Sequence, residues 1–160
     1  MGSELRWNAR MSLALTYERM GRNEEALELK RDVYSRRLEL LGEEKEQTLR
    51  AANNYANSLV DLERFEEAKA LLRRTIPVTR RVLGDSSRTT LAQRCNYAES
   101  LYEDPEATLD DLREAVTTLE ETERTARRVF GGAHPVTTGV EISLRKARAA
   151  LRARETPSTR

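Results

Sequence analysis

The chain has 160 residues, with 28 basic against 27 acidic side chains and about a third of all residues charged. That balance gives no global basic field for nucleic acid or an anionic membrane surface, and no apolar run approaches the ~20 residues a membrane-spanning helix needs. A single cysteine, Cys95, excludes an internal disulfide; with no apolar signal-peptide core at the N-terminus, it points to a reducing, cytoplasmic setting.

With Met1-Gly2-Ser3 set aside as a cloning remnant, apolar and small residues step by three and four along the chain. The spacing predicts helices from Leu5 to Met20 and from Glu24 to Leu41, turning at Gly21 and closing at Gly42. A second pair follows. Ala52, Tyr55, Ala56, Leu59 and Leu62 share one helix face, and after Glu63-Arg64 the pattern restarts at Phe65, continuing through Ala68, Leu71, Leu72 and Ile76 to Leu83-Gly84. Glycine at these closures suits a left-handed cap. Pro77 sits inside that second helix, where a missing N–H and a ring clash cost ~3 kcal/mol or more, so a bend is expected there. The third pair runs from about Arg88 to Tyr102 and from about Asp110 to Phe130, closing at Gly131-Gly132. Thr137 to Ala153 then places Val140, Leu144, Ala147 and Leu151 on one face with an Arg/Lys-rich remainder, as expected of a terminal helix with a polar outer side.

These pairs are copies of one unit. Leu41-Gly42 returns at Leu83-Gly84, Asn54-Tyr55-Ala56 at Asn96-Tyr97-Ala98, and Glu24-Glu25-Ala26 at Glu66-Glu67-Ala68, each after 42 residues. Ala68 to Ala115 is 47 residues, and the five extra fall within Asp104 to Asp111, whose Pro105 places them in the turn between the two helices of the third repeat. A fixed period of this size marks a solenoid of stacked units, an architecture that presents surfaces for binding.

The period, the helix pair and the placement of small residues resemble tetratricopeptide repeats, and the 42-residue length resembles those of the kinesin light chain type. The pattern of a large residue followed by a small one, a bulky residue soon after, and an alanine opening the second helix is matched at Leu13-Ala14, Tyr17 and Ala26, at Tyr55-Ala56, Leu59 and Ala68, and at Tyr97-Ala98, Leu101 and Ala115. Asn53-Asn54 and Phe130-Gly131-Gly132-Ala133-His134-Pro135 are similar to the light-chain asparagine pair and inter-repeat loop. The His-Pro is missing at Glu43 to Gln47 and Asp85 to Arg88. The resemblance implies an all-α, right-handed superhelical solenoid of three helix-turn-helix repeats plus a C-terminal capping helix. The expected organisation is one domain over 4–154, with repeats at about 4–46, 47–88 and 89–135, a capping helix at 136–154, and a tail at 155–160.

Catalytic chemistry has little to stand on. Cys95 lies in a helix and the only histidine, His134, belongs to the loop after the next helix, a spacing unlike any thiol-protease signature. No Cys/His cluster offers a metal site. The acidic concentration at Glu103, Asp104, Glu106, Asp110 and Asp111 lacks EF-hand spacing and fits a solvated turn and helix start. Nor is there a Gly-rich phosphate loop. The expectation is a non-enzyme that needs no cofactor or metal and whose partner is a protein or peptide, neither nucleic acid nor membrane; its alternative is a structural or self-associating scaffold segment of a larger protein.

In this architecture the first helix of each repeat lines a concave face. Register places Asn8, Met11, Ser12, Leu15 and Arg19 there, then Arg50, Asn53, Asn54, Asn57 and Asp61, then Ala92, Cys95, Asn96, Glu99 and Glu103, with Ser143 and Lys146 from the last helix. Asparagine is a mediocre helix former, so three within five positions require a reason beyond propensity. An amide carries donors and an acceptor together, which suits gripping the backbone of an extended peptide. The candidate peptide-binding residues are Asn8, Arg50, Asn53, Asn54, Asn57, Asn96 and Glu99. The competing reading, that Asn53, Asn54 and Asn57 bond across to adjacent helices, is open at this level.

Overall fold

The computed structural model describes residues 2–156, so nothing is placed for the tail beyond Thr156. The described residues form seven α-helices and no strand: α1 Gly2–Arg19, α2 Asn23–Leu41, α3 Glu46–Asp61, α4 Phe65–Leu83, α5 Arg88–Tyr102, α6 Leu109–Phe130 and α7 Pro135–Glu155. Consecutive helices pack antiparallel in pairs. In addition, α3 lies against α5 and α5 against α7, whereas the backbones of α2, α4 and α6 approach only those of their chain neighbours, Arg74 of α4 reaching the Tyr34 hydroxyl of α2 by its side chain at 2.8 Å. The odd-numbered helices therefore make a close inner layer and the even-numbered ones a spread outer layer, which is the curvature of a superhelical solenoid. At the N-terminal end the inner layer is incomplete, because the backbone of α1 stands off from α3.

Small residues at the crossings let the layers close. Ala14, Ala56 and Ala98 of the inner helices, Ala26, Ala68 and Ala115 of the outer ones, and Ala147 of α7 are all fully buried. Leu59, Leu72, Leu101 and Leu119 fill the space between, each contributing roughly 1.5–3 kcal/mol by leaving water.

The three repeat closures share one conformation. Gly42, Gly84 and Gly131 have φ of 86°, 85° and 85° with ψ of 168°, 165° and 163°. The positive φ expected of a glycine cap is present, but ψ lies far from the left-handed helical value, in a region open essentially only to glycine. Behind each of the last two closures a threonine at the start of the next helix reaches back: Thr90 Oγ1 donates to the Gly84 carbonyl and Thr137 Oγ1 to that of Gly131, both at 2.7 Å. Those joints are thus fixed by backbone and side chain together.

Within repeats the turns differ. The first two use a left-handed residue, Gly21 at φ 75° and Glu63 at φ 59°, closed by Arg22 N–H to the Tyr17 carbonyl and Arg64 N–H to that of Leu59, both 2.8 Å. The third accommodates its insert with side-chain bonds: Asp104 Oδ1 accepts the Glu106 N–H at 2.9 Å, and Thr108 with Asp111 forms a reciprocal capping box at 3.1 and 2.8 Å that starts α6.

Two boundaries depart from the sequence reading. Helix α1 begins at Gly2, within the segment set aside as a remnant. Helix α7 begins at Pro135, since proline needs no N–H at the first helical position and His134 Nδ1 accepts the Val136 N–H at 3.2 Å. Helix α4 is unbroken through Pro77, which occupies its exposed side, where water can satisfy the carbonyl that the proline leaves without a donor. Flanking it, the Thr75 and Thr79 hydroxyls donate to the carbonyls of Leu71 and Thr75 at 3.0 and 2.9 Å. Among the described residues, no helix is long and apolar enough to cross a membrane.

Candidate peptide-binding surface

The inner layer brings some predicted residues together and leaves others apart. Asn96 Nδ2 donates to Asn53 Oδ1 at 3.0 Å, tying α5 to α3, and Asn96 is buried. Asn57 is exposed and donates along its own helix to Asp61 at 3.0 Å. Asn54 is half-buried and makes no side-chain hydrogen bond among the described residues. Arg50 is exposed on the same helix, and Asn8 is exposed on α1, away from α3. The asparagines thus divide into an inter-helix tie, an intra-helix bond and an uncommitted amide. Even the tied pair keeps capacity, because one bond leaves the Asn53 amide protons and an Asn96 carbonyl lone pair unused.

Glu99 joins the layer to α7 by accepting from Ser143 Oγ at 3.0 Å. Burial pushes its carboxyl above the usual carboxylate range, and the charges of Glu103 and Asp61 act in the same direction. Asp61 is likewise raised by burial and by Glu18. Neighbouring carboxylates thus add to the effect of burial at both Asp61 and Glu99. A raised folded-state pKa favours the protonated acid, so the stabilisation it brings is full below the unfolded value and is lost as pH rises through the folded one. Glu99→Gln, which keeps the acceptor for Ser143 and removes the charge, should therefore raise Tm at pH 7. The gain should vanish below pH 4.5, the ordinary value for this group. Thermal melts of the two proteins across that pH range check it, and a Tm gain that persisted in acid would remove the desolvated charge as its cause.

Sequence reasoning missed a polar centre beneath this face. Lys30 occupies the position that Leu72 and Leu119 hold in the later repeats, and Glu18 that of Val60 and Tyr102. Lys30 is buried and donates to Glu18 and, at 2.8 Å, to Ser58 Oγ, which in turn donates to Glu18 at 3.0 Å. Aligning the repeats position by position was the signal that could have found it: a lysine in a leucine's place needs a buried partner. Gln93 was missed too; its Nε2 donates to the Leu49 carbonyl at 3.1 Å as a second tie between α5 and α3.

The remaining chemistry-bearing residues have structural surroundings. Burial pushes the Cys95 thiol up to about 12, so it keeps its proton at neutral pH, the wrong state for a nucleophile. His134 stacks on Phe130 with 4.7 Å between ring centroids while capping α7. Of the acidic turn, Asp104 bonds Lys69 at 3.0 Å and Asp111 belongs to the capping box. No group of three or more His, Cys, Asp or Glu side chains is arranged to hold a metal among the described residues.

An all-helical stack of helix pairs with a repeated large-small core and an inner polar face defines an α-solenoid. Residues 7–81 match the family model described as tetratricopeptide repeat. Among solved structures, the fold matches that of a Podosopora anserina putative kinesin light chain with nearly identical TPR-like repeats, at 22% identity and TM-score 0.79, over 91% of this chain and 66% of that one. It also matches BtubC (BKLC) from P. vanneervenii, at 20% identity and TM-score 0.69, over 98% of this chain and 68% of that one. A point-mutant form of the P. anserina protein matches at 20% identity and TM-score 0.54, over 94% and 88% of the respective chains. The chain thus shares its fold with these structures, and it spans 66% of the length of the first of them. No curated protein matches the sequence. Tetratricopeptide repeats generally mediate protein–protein interaction or scaffolding and are generally non-catalytic.

Proposed function

We propose that residues 4–154 act as one non-catalytic interaction module that takes a peptide or partner helix along the inner face, in a cytoplasmic setting. Asn54 carries this reading: it is a half-buried amide in the inner layer with no partner among the described residues, so its donors and acceptor are available to a bound backbone. Around it, Arg50 and Asn57 border the same helix face, Asn53 and Asn96 offer their unused amide atoms from the inter-helix tie, and Glu99 meets a donor or cation of the guest. Asn8 extends the surface on α1.

The test begins with a peptide-array screen for a partner, followed by Asn54→Ala and Asn96→Ala with melting and affinity measured on the same samples. Leaving a ligand group unpaired in a buried site costs roughly 1–3 kcal/mol, so Asn54→Ala should weaken binding by that amount with little change in Tm. Asn96→Ala should lower both, since it also cuts the bond to Asn53. A destabilised Asn54→Ala with unchanged affinity would move the binding site off this face.

One observation favours the alternative of a self-associating scaffold. Helix α1 and the turn after it expose Leu5, Leu13, Leu15 and Met20, at 71%, 42%, 54% and 63% of their surface, apolar area that a second chain could cover. Light scattering across concentration separates the readings: an end-to-end assembler grows, and a peptide receptor stays monomeric.

A further inference from the structure

The outer side of the stack carries two equivalent grooves with different linings. Between the first two repeats, Leu38, Ala52 and Val78 line an apolar niche together with Arg74 and Thr75. One repeat later the same positions hold Arg80, Arg94 and Thr125, with Glu121 where the first has Arg74. The fold therefore tolerates an apolar lining here and does not itself demand arginine. The second groove is an open space of about 370 Å³ between α4, α5 and α6, to which Arg124 and Arg128 add two further guanidinium groups.

The charges do not cancel. Arg94 is buried and pairs with Glu121 at 2.6 Å; Arg80 pairs with Asp85 at 2.5 Å. Arg124 and Arg128 have no carboxylate partner among the described residues, although both line the space. Asp85 is held below the usual carboxylate range first by its bond to Arg80, with the positive charges of Arg80, Arg94 and Arg128 adding to it, so these arginines converge on one region. Four guanidiniums against two carboxylates leave a net +2 in a groove framed by three helices.

We propose that this groove binds a phosphoryl group carried on a serine or threonine of a partner protein. A phosphorylated side chain brings close to two negative charges and three acceptor oxygens, which matches the two unpaired guanidinium forks in charge and in hydrogen-bonding capacity. A single carboxylate would neutralise only half the excess. The groove is open along its length, so a group projecting from a chain can enter it, and it lies on the opposite side of the stack from the inner face. The two surfaces are independent.

The test follows arginine side-chain ¹⁵N resonances of the full chain at constant ionic strength, on titration with inorganic phosphate, with acetyl-glycyl-phosphoseryl-glycine amide, and with the unphosphorylated twin of that peptide. Arg94, Arg124 and Arg128 should shift saturably with the phosphopeptide and not with its twin. The double variant Arg124→Gln/Arg128→Gln changes only exposed side chains, so it should keep its melting temperature while binding the phosphopeptide about tenfold or more weakly, as loss of hydrogen bonds to a charged group implies. Shifts that do not saturate, that the twin reproduces, or that survive in the double variant would overturn the site. Inorganic phosphate binding as tightly as the phosphopeptide would overturn the protein-borne source.

Discussion

Deleting residues 136–160 should lower the melting temperature by on the order of 10 °C, and the shortened chain should scatter light at concentrations where the full chain does not. Helix α7 buries Val140, Leu144 and Ala147 against α5 and α6. Two large apolar side chains at roughly 1.5–3 kcal/mol each are lost, and for a domain of this size each kcal/mol moves Tm by about 2–4 °C. The deletion also cuts the Ser143 bond to Glu99 and the Arg148 pair with Glu120, at 3.0 and 2.9 Å. What remains is a helix pair with its apolar side facing water, the condition that terminal units of a solenoid exist to prevent. A truncated protein as stable and soluble as its parent would show that α7 does not cap the stack.

A single substitution toward the repeat consensus should be nearly as harmful. Lys69 stands where the other repeats have Leu27 and Val116, so Lys69→Leu looks like a repair. Yet the Lys69–Asp104 pair is almost dry, with 7% and 9% of the two side chains exposed. Taking away the ammonium leaves the Asp104 carboxylate buried without its counter-charge, and breaking such a pair costs about 3 kcal/mol or more. Adding Asp104→Asn removes the stranded charge while keeping an acceptor for the Glu106 N–H, and should recover most of the loss. Urea unfolding of the single and double variants measures both. A stable single variant would show that the pair contributes nothing to holding the inserted turn. Burial acts to lower the Lys69 pKa, but the bonds to Glu66 and Asp104 outweigh it and the net shift is upward. The contribution of Lys69 is therefore complete below the ordinary lysine value and is lost only as pH rises through the raised one.

The helix pairs, their glycine closures and the site of the insert were legible in the sequence because each depends on local chemistry: a 3.6-residue period, a residue that reaches positive φ, a proline that ends a helix and favours a turn. The start of α7 was missed by two residues because His134 acts as a cap only when its ring turns back onto the Val136 N–H. The inner-face asparagines show where such reasoning stops. Sequence register put Asn54 and Asn96 in equivalent places, yet Asn96 reaches Asn53 on the neighbouring inner helix while Asn54 would have to look toward α1, which is not close enough to meet it. Equivalence in register fixes direction along one helix; a hydrogen bond also needs the next helix at the right distance. Lys30 was hidden for a related reason, since its partners Glu18 and Ser58 lie 12 positions before and 28 after it in the chain.

The standoff of α1 from α3 sets how the molecule yields. Every later inner helix is held by another inner helix as well as by its chain neighbours, so displacing it must undo several seams together. Helix α1 rests on α2, with a polar thread from Ser58 to Glu18 as its link to α3. The stack is therefore held most firmly from α2 to α7, and local opening of the inner face is expected to begin at α1, where the fewest neighbours oppose it.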